Sequence, residues 1–120
     1  MKTIKLNNEV LQNLYGDCEE SKGEVFSEFI STYSEMKQKL FLAYDSGDMD
    51  TLKSLLHLYG PSFMYLGVPD VSEFFKNLEL ECSGILNRNS FSVNFFKLLQ
   101  MVDDTWLEVY NQTVYFKKAV

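Results

Sequence analysis

Apolar residues recur along this chain at steps of three and four, the spacing that gathers them on one face of an α-helix. The first run covers residues 7–15. There Asn7 or Asn8 can cap a short helix carrying Val10, Leu11 and Leu14, and Gly16 ends it. The second covers residues 18–44 and carries Val25, Phe26, Phe29, Ile30, Tyr33, Met36, Leu40, Phe41 and Tyr44, with the Lys37 stem beside them. Asp45-Ser46-Gly47-Asp48 breaks the pattern: Gly47 suits the left-handed position after a helix, and Asp48 the N-cap of the next. A third run, residues 49–66, turns Met49, Leu52, Leu55, Leu56, Tyr59, Phe63 and Leu66 inward and closes at Gly67.

Pro69 then stands in a first helical turn, where its missing N–H costs nothing. The helix it opens is striped by Val71, Phe74, Phe75, Leu78 and Cys82. A loop beginning at Ser83-Gly84 includes Asn87, Arg88 and Asn89, and Ser90 caps a last helix from 91 to about 117. Its stripe reads Val93, Phe96, Leu99, Val102, Trp106, Val109, Tyr110, Thr113 and Phe116, with Lys117 and Lys118 suiting the negative end of its dipole. No strand hairpin competes. The pattern predicts an all-α fold, an antiparallel up-down four-helix bundle with a short extra N-terminal helix.

Length and composition narrow this further. A chain of 120 residues makes a single domain, 1–120, that can bury a core without metals or disulfides. A hydrophobic fraction of 46% argues against disorder. The net charge of −6 disfavours nucleic acid and anionic membrane as partners, since phosphate binding needs clustered Lys and Arg. No run of about 18 apolar residues is present to span a bilayer. The stretch MKTIKLNNEV has no apolar signal core, which points to the cytoplasm, and the initial Met and compact length favour a free-standing protein. Cys18 and Cys82 are read as reduced, partly buried thiols, neither in a CxxC pair nor beside the histidine.

Catalytic templates such as GxSxG, the P-loop and GxGxxG are absent, and one histidine excludes histidine-rich metal sites, so no metal or cofactor is expected. Glu79/Glu81 and Asp103/Asp104 read as solvated faces. What remains is His57, which falls off the apolar face of its helix, beside Lys53 and Met64. A neutral imidazole near pH 7 is a good nucleophile and can take a phosphoryl group from an aspartyl phosphate. That chemistry needs exposure, an acceptor to hold the other ring nitrogen, and cations or N–H groups near the phosphoryl oxygens.

The run FISTYSEMKQKLFLAYDSGDMDTLKSLLHLYGPSFMYLGVPDVSEFFKNLE resembles a histidine-containing phosphotransfer domain, and the upstream LNNEVLQNLYGDCEE resembles that family's short first helix. Gly47-Asp48 matches the acidic turn, His57 the phosphoacceptor, Ser62 and Gly67 the residues five and ten positions on, and Leu78-Glu79 the pair ending the next helix. The resemblance implies phosphorelay signalling with no autonomous catalysis. His57 would exchange a phosphoryl group with the aspartate of a response-regulator receiver domain, or take it from a hybrid sensor histidine kinase. It further implies that Glu79 orients the ring and that an exposed rim of Met49, Leu58 and Met64, with Phe63 as a further candidate, docks the partner, Gly60, Pro61 and Gly67 lying on the same partner-facing surface. Gly60 and Pro61 stand where the family has lysine and glycine, so Lys53 or Lys76 would supply the missing cation. Pro61 cannot donate to the carbonyl of His57, which predicts a kink or interruption within a turn of the histidine. A bundle that binds a receiver or kinase without transferring phosphate is the alternative, and an unrelated helical adaptor a third.

Overall fold

The computed structural model describes residues 4–84 and 87–119, with side chains as far as residue 113. Among the described residues every regular element is a helix: α1 (Asn8–Tyr15), α2 (Glu19–Asp45), α3 (Met49–Tyr59), α4 (Ser62–Tyr65), α5 (Pro69–Glu81) and α6 (Arg88–Ala119). No helix among them is long and apolar enough to cross a membrane. Phe116, Lys117 and Lys118, expected in the stripe and at the dipole end of α6, have side chains outside the described residues.

Local chemistry sets most boundaries. Asn7 Oδ1 accepts the N–H of Val10 and caps α1, and Gly16 ends it at a φ of 56°. Gly47 takes a φ of 74° after α2, and Asp48 Oδ1 accepts the Thr51 N–H at 3.1 Å to start α3. The Thr51 hydroxyl and N–H hold the Asp48 carboxyl below the usual aspartate range. The expected interruption after His57 is present. The Gly60 N–H still reaches Leu56 O at 3.0 Å, but Pro61 has no N–H for the next carbonyl. The chain resumes with shorter-range bonds, Phe63 N–H to Gly60 O and Met64 N–H to Pro61 O, both 3.1 Å, which build the single turn of α4.

Packing closes a circuit: α2 lies on α3, α3 on α5, α5 on α6, and α6 back on α2. Leu40, Leu52, Phe63, Phe75, Phe95, Leu98, Val102 and Val109 are fully buried within it. The short α1 attaches outside the circuit to α2 and α4. Asn7 N–H donates to Gly67 O at 2.7 Å, and the Tyr15 hydroxyl to Tyr65 O at 2.7 Å. Gly67 has a φ of 81°, and a Cβ there would meet Leu11 Cγ at 2.8 Å. Gly67→Ala is therefore expected to cost about 2 kcal/mol or more, combining left-handed strain with a clash against α1. Urea unfolding measures it, and an unchanged midpoint would show that α1 does not press on this turn.

The sequence pattern misplaced one face. In α6 the buried positions are Phe91, Phe95, Leu98, Val102, Thr105 and Val109, whereas Val93 and Phe96 are 66% and 49% exposed. The Phe95-Phe96 and Leu98-Leu99 doublets offer two phases one residue apart. Tyr44 of α2 helps select the observed phase, its ring lying flat on Phe95 at 4.2 Å between centroids. Thr105 is admitted to the core because its Oγ1 donates to Met101 O at 2.7 Å. Tyr110 and Leu14 are likewise exposed, as is Phe41, in place of which Ala43 is buried. Asn87 rather than Ser90 caps α6: Asn87 Oδ1 accepts the Ser90 N–H at 3.0 Å, which takes Arg88 and Asn89 into the helix. Asp103 is no free surface carboxylate, since Lys37 Nζ meets its two oxygens at 2.8 and 3.0 Å across the α2–α6 interface. Cys18 and Cys82 are both free thiols; Cys18 is exposed rather than partly buried, and burial pushes the Cys82 thiol up to about 11.

Candidate functional site

His57 projects from the last turn of α3, off the face that buries Leu52 and Leu56. Its side chain is 78% exposed, while its partner on α5, Glu79, is only 20% exposed. The Nδ1 atom lies 3.1 Å from both Glu79 carboxylate oxygens. An ionised carboxylate only accepts hydrogen bonds, so this contact puts a proton on Nδ1, and in the neutral ring Nε2 then keeps its lone pair. Among the described residues Nε2 meets no hydrogen-bond partner. Burial of the neighbouring Phe75 and Leu78 seats α5 against α3 and brings Glu79 under the ring.

A second link joins the same two elements. Lys53, one turn before His57, donates from Nζ to Ser83 Oγ at 2.6 Å, just beyond the end of α5. Four residues back along α3 thus correspond to four residues forward from Glu79. Lys76 lies on the other side of Glu79, exposed, with no hydrogen bond or ion pair among the described residues. It follows Phe75, which packs against Gly60: a Cβ on Gly60 would sit 3.0 Å from Phe75 Cβ and 3.0 Å from Leu56 O.

The other expected residues divide into surface and interior. Leu58 and Met64 are exposed, as are Pro61 and the neighbouring Tyr65, all within or just after the last turn of α3. Met49 is half-buried and packs on the core. Gly60 and Gly67, expected on a partner-facing surface, are buried, and their small size serves close packing against Phe75 and Leu11. Ser62 is exposed and, with Leu58, Thr32 and Glu28, lines a groove of about 390 Å³ between α2 and the α3–α4 segment. Ser83 was not foreseen as a site residue. Its only sequence signal is that it follows Glu79 by the four residues by which Lys53 precedes His57. No cluster of three or more His, Cys, Asp or Glu suited to a metal occurs among the described residues.

Comparison with protein-family models, curated proteins and solved structures gives no match to this chain.

Proposed function

We propose that the chain is a phosphorelay intermediate of the histidine-containing phosphotransfer type, with His57 as phosphoacceptor. The observation that carries this reading is an exposed imidazole whose Nδ1 is held by Glu79 while Nε2 faces solvent. In the transfer, the Nε2 lone pair attacks the phosphorus of a receiver-domain aspartyl phosphate. The P–O bond to the aspartate breaks, and the carboxylate leaves with its electron pair. The ring gains positive charge as the N–P bond forms, and the Glu79 carboxylate offsets that charge through the Nδ1 proton. Lys53, one turn before His57 on α3, and Lys76, one turn before Glu79 on α5, would serve as cations for the phosphoryl oxygens. Any metal ion would come with the partner.

This reading takes α2, α3, α5 and α6 as an antiparallel up-down four-helix bundle. The closed packing circuit and the two α3–α5 links, which advance in opposite chain directions, support it. Leu58, Pro61, Met64 and Tyr65 would form the surface that meets the receiver domain or kinase. The break at Gly60-Pro61 favours a second reading, in which the bundle binds such a partner without transferring phosphate.

Incubation with a phosphorylated receiver domain tests the two readings. Acid-labile, base-stable label on the protein supports transfer, whereas binding without label supports the interaction module. Glu79→Ala is expected to slow labelling about tenfold, because a hydrogen bond to a charged group is lost. Glu79→Gln, which keeps an acceptor oxygen but no charge, should fall between. Equal rates in all three proteins would remove Glu79 from the mechanism.

A further inference from the structure

The Lys53–Ser83 link stands one turn from the His57–Glu79 link on the same α3–α5 seam. Resting on the phosphotransfer reading, the geometry points to Ser83 as a positioning residue that holds the Lys53 ammonium where it meets a phosphoryl group arriving at His57. Residues four apart on a helix are surface neighbours, their Cβ atoms roughly 5–6 Å apart, so Lys53 and His57 share one strip of α3. A lysine free in solvent spreads its charge over many rotamers, and the 2.6 Å bond to Ser83 Oγ favours those that reach the end of α5.

The kind of partner matters as much as the distance. Lys22, Lys37 and Lys39 each meet a carboxylate, Glu19, Asp103 and Glu35 respectively, which cancels their charge locally. Lys53 is held by a neutral hydroxyl instead. Its charge stays uncompensated by that bond, and two of its three N–H donors remain for phosphoryl oxygens. A carboxylate at position 83 would give an equally firm tether and spoil the site for an anion.

Phosphoramidate tests this on the full chain without a protein partner. The Nε2 lone pair forms the new N–P bond as the donor's P–N bond breaks, and the already protonated nitrogen leaves as ammonia. The Nδ1 proton stays between the ring and Glu79. Phosphohistidine is followed by phosphorus NMR at low salt. Ser83→Ala and Lys53→Gln are each expected to slow labelling about tenfold, the low end for a lost charged hydrogen bond. The double variant should be no slower than Lys53→Gln alone, since the two residues act as one unit. Ser83→Thr, which restores the hydroxyl, should return the rate to near wild type. Ser83→Asp should stay slow although the tether is kept. High salt should shrink the gap between wild type and Ser83→Ala, an outcome that a merely structural serine would not give.

Wild-type labelling rates in Ser83→Ala, or effects that multiply in the double variant, would overturn the role of Ser83. A wild-type protein that takes the label from phosphoramidate but exchanges none with receiver domains would overturn the phosphorelay reading and leave the Ser83 comparison standing as chemistry of the ring. No labelling of the wild type at all would overturn both.

Discussion

His57→Gln is expected to abolish phosphoryl labelling while leaving the stability of the fold where it was. The glutamine amide has no basic lone pair, so no N–P bond can form from that position. Its NH₂ group can still donate to Glu79, so the α3–α5 contact keeps a hydrogen bond across it. The loss should therefore be complete in activity, while stability moves by less than about 0.5 kcal/mol, because the imidazole is 78% exposed and contributes little packing. Phosphoryl transfer and urea unfolding on the same preparation separate these effects. Residual base-stable label on the variant would mean that another side chain accepts phosphate. A large stability loss would mean that His57 is a structural residue, with its pairing to Glu79 serving the fold.

Phe63→Ala carries the largest expected change in stability, about 4 kcal/mol, in the range found for buried aromatic truncations. Phe63 is fully buried, with its ring edge-on to Phe29 at 5.5 Å and stacked on Phe75 at 4.8 Å. It is also the buried residue of the one-turn α4. Removing it leaves a cavity among α2, α4 and α5 and takes away what presses α4 onto the bundle. A lowered urea midpoint with an unchanged slope is the expected result. A loss below about 1 kcal/mol would show that the neighbouring rings collapse into the space and that α4 is anchored elsewhere, through α1.

The two variants mark what sequence reasoning reached and where it stopped. Helix ends were legible because their causes are local: Asn7 and Asp48 cap through their own side chains, and Gly16, Gly47 and Gly67 take positive φ. The interruption after His57 was legible for the same reason, since a proline without an N–H acts within one turn. The face of α6 was not, because its aromatic and leucine doublets permit two phases and a ring on another helix, Tyr44, helps decide between them. The site divides in the same way. That His57 leaves the apolar face follows from its place in α3. That Glu79 reaches it across 22 residues depends on how two helices settle against each other, and only the resemblance suggested the pair. Nothing in the pattern singled out Ser83, whose partner lies 30 residues away.

The doubly contacted Nδ1 of His57 has a consequence for any product that would form at this ring. An imidazole free to turn in solvent reacts at either nitrogen and yields two regioisomers. Here both oxygens of one carboxylate stand over Nδ1 at 3.1 Å, so an electrophile of any kind meets the other nitrogen. An adduct formed at this ring would then be a single isomer, substituted at Nε2, with its bond on the outward side of the ring.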